Sequence, residues 1–251
     1  METITSRENA KIKYACAVRD SEKQRAADGL FFAEGPKLCL ELAKSCTPRA
    51  MYATAAALAK TPELAQFDPA EIAPHVAEKL SGTKSNQGVF ALFETPVPPA
   101  DTLDTARRIL ALEGVQDPGN VGTILRTLDA FEADGLVLLP GCADPFSPKT
   151  VRSSMGAVFR RPVWTCTAET FAQVLRGSGL RLLGAALRDD TVDARAADYT
   201  RAVLAIGSEG RGLSDEVLAL CDETVRIPMS PRCESLNAAV AASVLLWEAY
   251  R

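Results

Sequence analysis

The stretch RRILALEGVQDPGNVGTILRTLDAFEADGLVLLP, residues 107–140, decides the fold class. RRILALEGV (107–115) has an unbroken apolar centre, Ile109 to Leu112, of the kind a strand covered on both faces carries. DPGN (117–120) is turn chemistry. Val121, Ile124, Leu125, Leu128 and Phe131 then recur at helical spacing, and GLVLLP (135–140) is a second apolar run of strand length. Strand, helix and strand in close succession predict a parallel pair joined by a crossover. The alternation continues downstream. PVWTC (162–166) reads as a strand and ETFAQVLRGSG (169–179) as a helix ending at glycine. RLLGAAL (181–187), AVLAIG (202–207) and ETVRIPM (223–229) read as strands, SDEVLALC (214–221) as a helix capped by Ser214, and a last helix runs from about Ser235 to Tyr250. The class is α/β with a mostly parallel sheet covered on both faces.

Upstream, ETPVPPADT (94–102) carries prolines at 96, 98 and 99 and reads as a linker. It divides the chain into residues 1–95, a linker over 96–103, and residues 104–251. The first part mixes helices (Asn9 to Val18, Pro36 to about Lys44, HVAEKLSG at 75–82) with strands (FFAEG at 31–35, GVFALFE at 88–94). TAAALAKTPELAQF (54–67) reads as helical but broken at Pro62. A chain starting near residue 103 is expected to fold alone.

Composition narrows the function classes. Apolar residues make up 47% and charged residues 24%, the balance of a soluble globular chain, and no apolar run reaches a membrane span of ~20 residues. The polar start, METITSRENAKIKY, is no secretory signal, so a cytoplasmic location is expected. Seven cysteines, an odd number with no C-x-x-C pair, argue against a disulfide framework or a zinc site. The lone His75 is read as structural. A net charge of −4 does not advertise nucleic acid, yet residues 1–60 hold 10 Lys/Arg against 7 Asp/Glu. Arg7, Lys11, Lys13, Arg19, Lys23 and Arg25 lie in that basic segment.

Three segments follow strands and open helices, where ligands of parallel sheets gather. In QDPGNVGTILRT (116–127), Asn120 is placed to cap the helix and Arg126 lies six positions on. AIGSEGRGLS (205–214) is glycine-rich but lacks the Lys-Ser/Thr of a nucleotide-triphosphate loop and the G-x-G-x-x-G of a dinucleotide site. Glu209 within it would repel a pyrophosphate, which favours a neutral or cationic ligand. RIPMSPRCESLNAAVAASVLLWEAYR (226–251) reads as strand, loop and closing helix, with Ser235 as the cap and Val240, Val244 and Trp247 toward the core. That reading leaves Asn237, in the first turn, without a reason.

NVGTILRT, GSEGRGL and IPM…ESLNAAVAAS, in this order, resemble the three motifs of the SpoU (TrmH) methyltransferases of the SPOUT class. KTVRSSMGAVFRRPVW resembles the family's stretch between the first two motifs. FFAEGPKLCLEL (31–42) is similar to the family's L30e-like substrate-binding domain. The resemblance implies a SPOUT catalytic domain with a C-terminal trefoil knot, preceded by a small L30e-like α/β domain. It implies an RNA ribose 2′-O-methyltransferase that uses S-adenosylmethionine, with ribosomal RNA favoured over transfer RNA, no metal, and a homodimer in which Arg126 of one subunit can serve the other's site. Gly207, Gly212, Ile227, Met229 and Leu236 are the implied cofactor contacts. Arg126, Asn120, Glu209, Ser235 and Asn237 match the catalytic motif residues. The loop Ser230-Pro231-Arg232-Cys233 departs from relatives, in which a glycine is common. A non-catalytic RNA-binding protein would be expected to lack Arg126 or the third motif, and both are present. A nucleotide-binding oxidoreductase lacks its fingerprint here.

Overall fold

The computed structural model describes residues 3–82, 86–99, 105–188, 190–230, 232–233 and 235–251. Residues 100–103 of the linker and Pro231 lie outside these.

The chain divides into two compact units, one of residues 1–96 with 146–159, the other of 97–145 with 160–251. The first is built from β1 (Thr3–Ile4), α1 (Ala10–Asp20), α2 (Glu22–Asp28), β2 (Leu30–Glu34), α3 (Pro36–Leu42), β3 (Pro48–Ala53), α4 (Ala55–Lys60), β4 (Ala70–Ile72), α5 (Pro74–Leu80) and β5 (Val89–Glu94). Its sheet runs β1-β4-β3-β5-β2, parallel from β1 through β3 and antiparallel at β5 and β2. Caps explain the helix starts. Asn9 accepts from the Lys11 amide, Ser21 from Gln24 and Thr54 from Ala57, each satisfying an otherwise orphaned N–H. Pro62 ends α4 by opening a 3₁₀ turn, Pro62–Phe67. His75 is tied down, its Nε2 donating to the Thr5 carbonyl at 2.6 Å.

Residues 146–159, assigned by their sequence position to the second part, belong to this first unit. The reason is aromatic packing. Phe31 stacks on Phe93 at 5.6 Å and on Phe159 at 4.7 Å between ring centroids, with Phe146 at 5.8 Å. Val151, Ala157 and Val158 of that excursion are buried as well.

In the second unit, β6 (Arg108–Leu112), α6 (Pro118–Ala130) and β7 (Gly135–Leu138) are the expected strand, helix and strand. After the excursion, which carries α7 (Pro148–Ser153) and α8 (Ala157–Arg160), come β8 (Val163–Thr165), α9 (Ala168–Ser178), β9 (Arg181–Ala185), β10 (Val192–Asp193), β11 (Ala202–Ile206), α10 (Asp215–Leu218), β12 (Glu223–Arg226) and α11 (Ala238–Tyr250). The seven strands are ordered β10-β12-β9-β11-β6-β7-β8 and every pairing is parallel. β6, β7 and β8 step outward in one direction, whereas β9, β11 and β12 lie to the other side of β6. The order therefore switches between β6 and β11, the kind of place where open sheets bind ligands. α11 packs on α6 through small residues. Ala238, Ala239 and Ala242 are buried, and Thr127 Oγ1 meets Ser243 Oγ at 3.3 Å. Among the described residues, no helix is long and apolar enough to cross a membrane.

Candidate active site

The site grows from three strand ends. Beyond β9, β11 and β12 the chain turns into loops that line one cleft of about 420 Å³. Ala185 to Arg188 come from the first, Ile206 to Glu209 and Arg211 to Leu213 from the second and Val225 to Ile227 with Met229 from the third; Ser235, Leu236, Ala238 and Ala241 close it. The five expected cofactor contacts, Gly207, Gly212, Ile227, Met229 and Leu236, all lie on this wall, as do Glu209 and Ser235.

The loop after β11 folds back on itself. Ser208 N donates to the Gly212 carbonyl at 3.2 Å, and Gly212 N returns to the Ser208 carbonyl at 2.9 Å. Two glycines permit this. A Cβ on Gly207 would lie 2.0 Å from the Gly212 carbonyl carbon and 2.2 Å from Leu213 N, inside backbone that cannot give way. Gly212 has φ +67°, in the left-handed region. Gly210, by contrast, has nothing within 4 Å of a Cβ.

Polar contacts pin the loop at both ends. Glu113, just past β6, accepts from Ser214 N at 2.8 Å and from Ser214 Oγ at 2.7 Å. Glu209 Oε1 accepts from Asn120 Nδ2 at 2.6 Å, from Asn237 Nδ2 at 3.5 Å and from Ala238 N at 3.4 Å. Asn237 Nδ2 also donates to Asn120 Oδ1 at 3.2 Å. A carboxylate thus sits at the amino end of α11, where helix dipole and free amides favour negative charge. Glu209, Asn120 and Asn237, far apart in sequence, form one cluster at the start of α6 and α11.

Two cap assignments need correction. Asp117, not Asn120, caps α6, accepting from the Gly119 amide at 3.0 Å with Pro118 in the first turn. The Asn120 amide is thereby released to reach Glu209. Asn237, not Ser235, caps α11, accepting from Ala239 N at 3.0 Å and Val240 N at 3.4 Å. Ser235 remains exposed on the cleft wall; its carbonyl accepts from Cys233 Sγ at 3.2 Å. Val240 and Trp247, expected toward the core, are 48% and 51% exposed; Leu245 and Leu246 are buried instead.

Arg126 stands apart from this cleft. It lies six residues beyond Asn120, about 9 Å along the axis of α6, and is exposed. Among the described residues its guanidinium has no hydrogen-bond or ion-pair partner.

Sequence reasoning missed three contributors. Glu113 carries no motif signal of its own. Arg188 and Arg211 line the cleft. Arg211 could have been found inside GSEGRGL, as the one cation of that loop.

The basic amino-terminal segment is less available than its charge suggests. Arg19 Nη1 donates to the carbonyls of Lys79 and Leu80 at 2.7 and 2.9 Å, capping α5, and its side chain pairs with Asp20. Arg25 is buried against the Val18 and Arg19 carbonyls. Arg7 pairs with Glu78 and Lys13 with Glu8 at the surface.

The comparisons with known proteins agree with this geometry. Residues 107–247 match the SpoU rRNA Methylase family, and residues 9–91 match an MRM3-like substrate binding domain. The chain is 31% identical to the 23S rRNA (guanosine(2553)-2′-O)-methyltransferase RlmP of Bacillus subtilis, over 98% of each protein. Its structure resembles an AdoMet-bound rRNA methyltransferase from Sinorhizobium meliloti (TM-score 0.87, 31% identity, 99% of this chain and 97% of that one). It also resembles the SpoU methyltransferase AviRb from Streptomyces viridochromogenes with AdoMet (TM-score 0.85, 30% identity, 97% and 98%). With a family model over more than half its length and relatives similar from end to end, the chain belongs to the SpoU rRNA methylase family, enzymes that methylate RNA with S-adenosylmethionine.

Proposed function

We propose that the chain methylates a ribose 2′-hydroxyl of 23S ribosomal RNA and holds S-adenosylmethionine in the cleft over β9, β11 and β12. The observation that carries this reading is the cleft itself. Three loops of one parallel sheet converge there, with an apolar wall (Leu187, Leu213, Ile227, Met229, Leu236) and a tight Gly207–Gly212 turn. That combination suits an adenosyl group, which wants apolar surface with backbone donors and acceptors beside it. The volume falls in the range of small-molecule sites, roughly 300–1,000 Å³.

When bound, S-adenosylmethionine supplies a methyl group activated by the sulfonium charge, and the displacement needs no metal. The protein's tasks are to align the acceptor and to ease loss of its proton. Arginine does not deprotonate readily in proteins. Arg126, exposed and unpaired, is suited to grip the phosphate next to the acceptor ribose and let that phosphate or a water take the proton. Glu209, already engaged with Asn120, Asn237 and the α11 amide, serves loop structure. Ser235, exposed on the cleft wall, orients the nucleotide, and Asn237, which caps α11 and holds Asn120 and Glu209, keeps that wall in place.

The site is completed in a homodimer. α11 exposes Val240, Trp247 and Tyr250, with Phe131 packed against both aromatic rings. An apolar patch of this kind favours a partner surface, and Arg126 of one subunit then serves the other's cleft. We also infer a trefoil knot at the carboxyl end, cytoplasmic action, and RNA selection by the first unit. The strand order, in which late strands insert between earlier ones, supports the knot. Calorimetric titration tests the cofactor assignment. S-adenosylmethionine should bind near one per chain and NAD should not; binding of NAD in preference would contradict it.

A further inference from the structure

The first unit carries a groove of its own, about 480 Å³, whose rim includes Lys11 and Tyr14 of α1, Arg49 of β3, and Asp68. Its floor is apolar, from Leu30, Met51, Tyr52 and Leu92, all buried. Tyr14 is 40% exposed. Its hydroxyl is already committed, donating to Asp28 Oδ2 at 2.5 Å, and Gln24 Nε2 donates to the same oxygen at 2.7 Å. The tether fixes the ring while leaving part of it open. Arg49 pairs with Glu94 at 3.3 Å, both side chains mostly exposed, so the pair is weak and exchangeable for another anion. Asp68 has φ 45°, a left-handed conformation that few side chains adopt. Among the described residues its carboxylate has no hydrogen-bond partner.

A fixed aromatic ring, two cations on the rim and an unengaged carboxylate make a particular combination. A stacked base uses the ring, its backbone phosphate uses the cations, and an acceptor-only carboxylate demands donors on the base edge. Guanine presents two adjacent donors, the N1 imino and the N2 amino groups. Adenine and cytosine present one amino group each, and uracil one imino group. An acidic peptide would match the cations but not the ring and carboxylate together.

We propose that this groove binds one unpaired base of the RNA substrate, guanine by preference. The proposal rests on the reading that the chain acts on RNA, and it concerns a nucleotide other than the one methylated. Tyr14 supplies the stacking face, Lys11 and Arg49 the phosphate contact, and Asp68 the base discrimination.

The test uses the full chain and fluorescein-labelled single-stranded RNA hexamers, all uridine or with one central guanosine or adenosine, read by fluorescence anisotropy. The native chain should bind the guanosine hexamer more tightly than the other two. Tyr14→Ala should weaken that binding by about 5- to 150-fold, the range for one base–aromatic stack. Tyr14→Phe, which keeps the ring and loses only the tether to Asp28, should stay near native affinity. Asp68→Asn, which tolerates the same backbone conformation, should erase the guanosine preference while keeping most of the affinity. Each variant should bind S-adenosylmethionine as the native chain does, which shows that it is folded. Absence of a guanosine preference in the native chain would overturn the proposal. So would Tyr14→Ala binding like native, or Tyr14→Phe losing as much as Tyr14→Ala. A chain that methylates ribosomal RNA, loses that activity with Arg126→Ala, and ignores Tyr14 would sink the groove alone and leave the methyltransferase reading intact.

Discussion

Gly207→Ala should cost the protein its cofactor affinity while Gly210→Ala, three residues away, should cost almost nothing. The added Cβ at 207 would lie 2.0 Å from the Gly212 carbonyl carbon, 2.1 Å from its oxygen and 2.2 Å from Leu213 N. All three are backbone atoms, so no rotamer change relieves the overlap, and the turn must open by more than an ångström. Opening breaks the paired bonds between Ser208 and Gly212. Two backbone hydrogen bonds at about 1 kcal/mol each set a floor of about 2 kcal/mol. If the binding-competent loop bears that cost, affinity for S-adenosylmethionine falls by about 30-fold or more. At Gly210 a Cβ meets nothing within 4 Å, and its φ is not positive, so affinity should remain within about twofold. Calorimetric titration of both variants gives the affinities, and thermal melts show that they are folded. A folded Gly207→Ala protein with native affinity would refute the role of this turn. Equal damage from Gly210→Ala would refute the steric reasoning.

Other outcomes follow from the same geometry. Glu209→Ala removes the acceptor shared by Asn120, Asn237 and Ala238 N, and should destabilise the fold by about 1–3 kcal/mol. Glu209→Gln should cost less, and denaturant titration measures both; equal stability of Glu209→Ala and native would dismiss the cluster. With a thiol reagent near pH 8, the exposed Cys233 should react first. Cys39 should react last, because burial pushes its thiol up strongly, while Cys46 and Cys221 are pushed up to about 11 by burial. Their thiolates are therefore scarce at that pH, and rapid labelling of Cys39 by mass spectrometry would contradict the packing. Against the expectation from sequence that a chain starting near residue 103 folds alone, a chain beginning at residue 105 should melt without cooperativity or bind a hydrophobic dye, because Phe146 and Phe159 lose Phe31. A native-like melt would show that the excursion is dispensable.

The parallel sheet was legible because β6, α6 and β7 bury what their periodicity exposes to view: apolar runs for covered strands, and Val121, Ile124, Leu125 and Leu128 on one helix face. Short strands such as β1, at the sheet edge, and β4, beside it, left no comparable signal, since two or three residues cannot display a period. Helix caps were misread where several polar residues compete for one position. Asp117 beat Asn120 because Pro118 fixes the first turn, and Asn237 beat Ser235 for α11. Glycine content pointed to the loop at 205–214, but only three-dimensional packing separates Gly207, which touches backbone, from Gly210, which touches nothing. The alliance of residues 146–159 with the first unit was invisible, because it rests on four phenylalanines distant in sequence. Charge counting overstated the basic segment for the same reason. Arg19 and Arg25 spend their charge on backbone carbonyls that no sequence pattern reveals.

Methyl transfer to a ribose with Arg126 as the helper can be read out in a single mapping experiment. Purified protein and S-adenosylmethionine are incubated with unmethylated ribosomal RNA, and ribose methylation is mapped at nucleotide resolution for the native chain and for Arg126→Ala. The native protein should produce a single new 2′-O-methyl site. With Arg126→Ala the rate should fall by two or more orders of magnitude, as expected for loss of a contact made in the transition state, at unchanged S-adenosylmethionine affinity. No ribose methylation by the native chain, methylation of a base instead, or full activity in Arg126→Ala would contradict this mechanism.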